Sequence, residues 1–240
     1  MSEFRVSVAL ATYNGELYLK EQLDSILTNL TDKDEIVISD DSSSDSTLKI
    51  IETYKSRFKN IKVLKGPCKG FAYNFENALK NCSGDYIFLC DQDDIWKNNK
   101  VDVCLNALKD YSVVCHNANI LDMATNTIIG NTFNLKGKND TIFNSIIKNS
   151  FIGCCMAFRK EVLSLAIPFS VNANIVLHDW IIGVSGLIIG KCLFLDEKLI
   201  DYRIHSNNAV GNMKTSFFYK IKKRIEQIKY YFVLKRRVKG

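Results

Sequence analysis

Four short apolar runs, each ending in polar residues, constrain this chain more than any other feature. They cover residues 5–11, 35–39, 61–64 and 86–90. Runs of this length, rich in Val, Ile and Leu and bounded by turn residues, read as buried strands of a parallel sheet. The intervening segments 16–27, 48–58 and 71–81 carry apolar residues at helical spacing. The resulting β-α-β-α-β-α-β alternation predicts right-handed crossovers with helices on both faces of the sheet. Such sheets take ligands at the carboxyl ends of their strands. Three of the runs end there in Tyr13/Asn14, Asp40/Asp41 and Asp91/Asp93, which is the layout of a nucleotide site.

The last of these ends is the most acidic. The stretch Asp91-Gln92-Asp93-Asp94-Ile95-Trp96 puts three carboxylates directly after a buried strand. Asp91 and Asp93 point the same way in extended backbone and can converge in a turn. Read alone, they are either a solvated acidic turn or the ligands of a hard divalent cation with positions open for a phosphate. No Gly-x-Gly-x-x-Gly and no Gly-Lys-Ser/Thr loop is present, so dinucleotide and P-loop readings are weak.

Further along, helices are expected near 98–108 and 141–148, and strands at 113–118, 151–158, 192–195 and 199–203. Residues 122–139 and 168–174 read as irregular. His178-Asp179-Trp180 opens an apolar helix to residue 189. The eight cysteines show no Cys-x-x-Cys pair, which fits reduced thiols in a cytosolic core. No signal peptide is visible at the start, and no apolar stretch reaches the roughly 18 residues of a membrane span.

Taken together, these residues resemble the family-2 glycosyltransferases of the GT-A fold. The resemblance runs over residues 4–211 and rests on several motifs in order. They are the segments 8–14 and 38–47, Gly70 with Asn74, Gly84-Asp85, and the acidic stretch 91–96. After these come Gly153, Arg159, His178-Asp179-Trp180 and Tyr202-Arg203-Ile204-His205-Ser206-Asn207-Asn208. The acidic, His-Asp-Trp and Tyr-Arg-x-His forms look most like a bacterial rhamnosyltransferase-like branch.

That resemblance implies a GT-A α/β fold: a Rossmann-like, mostly parallel central sheet with helices on both faces. It implies one transferase domain at 1–212, with a nucleotide half to about 120 and an acceptor half after it. It also implies an inverting, metal-dependent transferase. In such an enzyme Thr12, Tyr13 and Asn14 hold base and ribose, and Asp41 accepts from the N3–H of uracil or thymine. Asp91, Asp93 and His205 hold Mg²⁺ or Mn²⁺, with Asp91 shared with the ribose. Asp179 is the general base, flanked on the acceptor side by His178 and Trp180. The chain departs from the family pattern at Tyr73, where many relatives place an Arg; Lys69 could supply the missing charge beside the donor diphosphate.

Residues 213–240 carry ten Lys/Arg and one Glu, a net +9, which leaves −3 on the rest of the chain. Aromatic and aliphatic residues interleave with these cations at near-helical spacing. A basic amphipathic helix of this kind suits an anionic membrane surface. It equally suits packing on the domain or a partner protein; no nucleic-acid-binding motif accompanies it. The expected activity is transfer of a sugar, L-rhamnose from dTDP-rhamnose first. The acceptor is the hydroxyl of a lipid-linked bacterial surface polysaccharide, at the cytoplasmic face of the membrane. The alternatives are a UDP-hexose transferase of the same fold and a non-catalytic sugar-nucleotide-binding subunit.

Overall fold

The computed structural model describes residues 5–138, 140–169, 175–206, 208 and 216–239. The four apolar runs form β1 (Val6–Thr12), β2 (Asp34–Asp40), β3 (Ile61–Lys65) and β4 (Tyr86–Cys90). Helices α1 (Leu19–Leu27), α2 (Thr47–Lys55) and α3 (Phe71–Lys80) connect them. All four strands are parallel, in the order β3-β2-β1-β4. The central pair shows why the runs are continuous: β2 is buried at every position and β1 at all but one. Strand order reverses beside β1, so a crevice opens at the ends of β1 and β4, where an open α/β sheet binds its ligand.

The second half continues the same sheet. Its elements are β5 (Ile95–Trp96), α4 (Lys100–Ala107), β6 (Val113–Asp122), β7 (Thr127–Asn131), α5 (Thr132–Lys136) and α6 (Ile142–Ile147). A 3₁₀ turn (Gly153–Cys155) leads to β8 (Met156–Arg159), then α7 (Lys160–Ala166), α8 (His178–Ile189), β9 (Cys192–Ile204) and α9 (Phe217–Lys239). The sheet order is β3-β2-β1-β4-β8-β6-β9-β5, with β7 on β6. Here the sheet turns mixed. β8 runs antiparallel to both β4 and β6, β9 runs parallel to β6, and β5 pairs antiparallel with the far end of β9. The acidic loop leaving β4 is therefore held at both ends, by mid-sheet at one side and by β9 at the other.

Several elements differ from the sequence expectation. Residues 122–136 are not irregular: Asn126 takes a left-handed turn (φ 53°), β7 pairs with β6, and Asn131 caps α5 through the Asn134 N–H. β7 is exposed over its first three residues, Ile128 and Ile129 among them, so it carries no alternation of buried apolar and exposed polar positions. Within the 151–158 run, residues 153–155 form a 3₁₀ turn before β8, and at Gly153 the chain passes too close to His178 for a side chain. The two short strands expected after residue 191 are one, β9; register shifts opposite His116 and Asn117 absorb the break. Residues 170–174 of the expected loop, residue 207 of the Tyr-Arg-x-His motif and the start of the basic tail lie outside the described residues.

Nor is the described part of the tail a separate appendage. α9 packs on α6, α7 and α8. Tyr230 and Leu234 are fully buried there, and the Tyr230 hydroxyl donates to Ala166 O at 3.1 Å. The cysteines are all unbridged and six of the eight are buried, as core thiols.

Candidate active site

The nucleotide rim is built from the ends of β1 and β2. Asp40 is buried and accepts from Thr12 Oγ1 (2.8 Å), Ser43 N (2.8 Å) and Ser43 Oγ (2.6 Å). It braces the rim and has little left to offer a ligand. Asp41 follows it, partly exposed, with Oδ1 accepting from Cys68 N at 2.7 Å. Asn14 sits at φ 47°; its N–H donates to Ser43 Oγ and its Oδ1 accepts from Ser44 N. The Tyr13 ring is exposed, while its backbone is clamped by the Gln92 amide: Tyr13 N donates to Oε1 (2.9 Å) and Nε2 donates to Tyr13 O (3.0 Å). Tyr13, Asn14 and Asp41 thus line one rim, locked across the crevice to the acidic loop, whereas Thr12, expected beside them, is buried behind it with its hydroxyl spent on Asp40. Lys69 is exposed on the loop after β3, next to Cys68.

At the acidic loop, oxygens of Asp91 and Asp94 and the Cys154 sulfur all lie within 4.8 Å of one another. Asp94 is buried; Oδ1 accepts from Arg203 N at 3.2 Å, and Oδ2 has no partner among the described residues. Burial first, then the Asp93 charge, pushes the Asp91 carboxyl up to about 7, with Asp179 adding to the push. Burial likewise holds Asp94 well above the carboxylate range and Asp93 above it, the latter opposed by His205. The buried Lys100 donates to Cys154 O at 2.8 Å and lies 3.9 Å from the centre of the Trp96 ring. Crowded carboxylates with an orphaned buried oxygen fit a hard divalent cation. The residues present are consistent with one.

Behind this loop, the end of β9 forms a tie. Arg203 is 1% exposed and its guanidinium bonds Glu21, Tyr18 O, Asp93 O and Asp94 O. His205 stacks on the Tyr18 ring (4.2 Å) and its Nε2 lies 3.1 Å from Asp93 Oδ2. Asn208 Nδ2 donates to the same Asp93 oxygen at 3.4 Å and to Arg203 O at 3.1 Å. The structure therefore pairs Asp93 with His205 and sets Asp91 with Asp94. The Arg203 guanidinium is buried and spent on protein partners. Gln92, Lys100 and the structural weight of Arg203 escaped sequence reading. Gln92 reads as a spacer between acids, and nothing in its sequence context marks Lys100.

Asp179 is the second residue of α8, with Oδ1 accepting from Trp180 N at 2.6 Å. It is only partly buried, and close enough to the acidic loop for its charge to act on Asp91. Its neighbours are not acceptor-side groups. Trp180 is fully buried in the core, and its Nε1 donates to Ser145 O at 3.2 Å, so the ring cannot stack on a saccharide. His178 is buried too, stacked on Phe75 at 4.2 Å with neither ring nitrogen bonded among the described residues. An apolar helix start needs core aromatics, and that need claims both side chains.

Burial lowers the His178 pKa, so the folded protein holds it neutral while the unfolded chain protonates near 6.5. Its stabilising effect is present above that pH and lost as pH falls below it. His178→Phe keeps the stacking and removes the titration. Its urea midpoint relative to wild type is expected to rise steadily from pH 7.5 to 5.5. A pH-independent difference would show that His178 is not held neutral.

The strand ends, Asp41, the acidic loop and Asp179 thus form the candidate site at one edge of the sheet. The family model for glycosyl transferase family 2 matches residues 7–165. The chain is 32% identical over 217 residues to the dTDP-rhamnosyl transferase RfbG of Shigella flexneri, covering 84% of this chain and 73% of that protein. It is 27% identical to the UDP-Glc:alpha-D-GlcNAc-diphosphoundecaprenol beta-1,3-glucosyltransferase WfgD of Escherichia coli, covering 88% of this chain and 82% of that one. Among solved structures, residues 1–349 of S. aureus TarS in complex with UDP-GlcNAc share the fold with a TM-score of 0.70 at 19% identity. That match covers 94% of this chain and 66% of the TarS chain. The chain belongs to glycosyl transferase family 2, and its activity is sugar transfer.

Proposed function

We propose that this glycosyltransferase moves L-rhamnose from dTDP-rhamnose to a hydroxyl of a lipid-linked saccharide, inverting the anomeric centre. The observation that carries this is the convergence of Asp41, the 91–94 loop and Asp179 at one carboxyl edge of the sheet. Asp41 accepts from the base imide N–H, which thymine and uracil have and cytosine lacks. Tyr13 and Asn14 line the ribose. Asp91, Asp93 and Asp94 would hold Mg²⁺ or Mn²⁺, with His205 at Asp93 and Lys69 toward the diphosphate. When bound, the ion neutralises charge on the departing diphosphate. Asp179 takes the proton from the acceptor hydroxyl as that oxygen attacks the anomeric carbon and the nucleoside diphosphate leaves. The dTDP choice rests on the 32% relative. The UDP-glucose reading has the support of the 27% relative, whose diphosphoundecaprenol acceptor also favours a lipid-linked acceptor and work at the cytoplasmic membrane face.

Calorimetry with dTDP, UDP and GDP, each with and without Mn²⁺, tests the donor site. The expected result is metal-dependent binding of dTDP above UDP, weakened at least about tenfold in Asp91→Asn, a loss of 1.4 kcal/mol. UDP above dTDP moves the sugar to a hexose. No binding of any of them to folded protein sinks the site. Release of pyrophosphate in place of a nucleoside diphosphate would make the enzyme a nucleotidyl transferase.

A further inference from the structure

α9 carries two apolar stripes on opposite sides. One, with Tyr230 and Leu234 fully buried, is docked on α6, α7 and α8. Arg224 Nη2 to Ile147 O (3.2 Å) and Arg237 Nη1 to Leu165 O (2.8 Å) fasten it at both ends. The other stripe is Phe217, Phe218, Ile221, Ile225, Ile228 and Phe232, which are 71, 81, 37, 47, 44 and 57% exposed. At about 100° per residue these six fall within a single arc of about 100°, nearly opposite Tyr230 and Leu234. Cations border the arc on both sides: Lys222 and Lys229 along one edge, Lys220 and Arg224 along the other. Beside it, α6 exposes Phe143 and Ile147.

We infer that this outer stripe of α9, with the exposed edge of α6, is a docking surface for a bilayer containing anionic lipid. An apolar strip between two rows of cations matches acyl chains between headgroup phosphates. The +9 charge of 213–240, against −3 on the remaining chain, orients the molecule with this face toward a negative surface. The inner stripe is fixed to the domain and packs on α8, which carries Asp179. The docked bilayer therefore has a set position relative to the acceptor end of the site. This deepens the lipid-linked acceptor reading and rests on it for its purpose, but its test requires no transfer.

The test is co-sedimentation of the full chain with vesicles of phosphatidylcholine alone or with 30% phosphatidylglycerol. At about 0.1 M salt, binding to the anionic vesicles is expected to exceed binding to neutral ones by at least about tenfold and to weaken at 0.5 M salt. Phe218→Ser/Phe232→Ser removes exposed side chains only. It should lose at least about tenfold of the vesicle binding, while nucleotide binding by calorimetry stays unchanged. Lys222→Glu/Lys229→Glu should abolish the preference for anionic vesicles. Absence of vesicle binding, or equal binding by wild type and the Phe variant, overturns the proposal. So does a dimer in sedimentation velocity that the Phe variant dissolves, which would mean a second copy covers the stripe. Since nucleotide binding is read separately, failure here leaves the donor-site reading standing, and the converse holds.

Discussion

Asp179→Asn is expected to slow sugar transfer by about 10²–10⁴-fold, the range for loss of a positioned general base. Asn keeps the short side-chain oxygen that accepts from Trp180 N, so the helix start survives. What disappears is the ability to take the acceptor proton. Donor affinity should hold within about twofold, because in the proposed mechanism Asp179 acts on the acceptor and not on the donor. Loss of kcat with intact donor binding identifies the base. Unchanged turnover would remove Asp179 from the chemistry. No turnover in the wild type either, despite nucleotide binding, would favour a sugar-nucleotide-binding subunit.

The second large effect lies away from the reacting groups. Arg203→Met is expected to cost about 3–5 kcal/mol, because it strands three carbonyl acceptors, at Tyr18, Asp93 and Asp94. The Glu21 pairing adds little to this, since Glu21 is largely exposed. For a domain of this size the melting temperature should drop by roughly 10 °C. Nucleotide and metal affinity should weaken as well, because two of those carbonyls belong to the acidic loop. Arg203→Lys recovers little, as one ammonium cannot reach acceptors that a planar fork spans. A Met variant melting within about 2 °C of wild type would show that the tie does not hold the loop.

These two residues mark what could be read from the chain and what could not. The place of Asp179 at the start of an apolar helix was legible because the His-Asp-Trp triplet precedes a continuous apolar run. The four parallel strands were legible because strands buried on both faces must be continuously apolar, and their polar ends must then share an edge. The place of Asp91, Asp93 and Asp94 was legible for the same reason, since they follow directly on a buried strand; read alone, they left a solvated turn and a cation site both open. Trp180 and His178 were misread as acceptor-side groups because a sequence does not say which side of a helix faces the core. The 122–139 hairpin was missed because a half-exposed edge strand has no strong apolar period.

The sequence by itself determined the first half of the sheet: its strand order of appearance, its crevice and the acids at its mouth. These follow from local patterning, where burial on two faces dictates composition. Only the tertiary structure decided how that mouth is held. Gln92 clamps Tyr13 from 79 residues away, β9 supports the acidic loop through Arg203, and His205 meets Asp93 across 112 residues. It likewise decided that α9 divides its apolar residues between two opposite faces, one docked and one exposed. Contacts between residues so distant in the chain leave no periodic trace along it. They exist only once the sheet brings its strand ends to one edge.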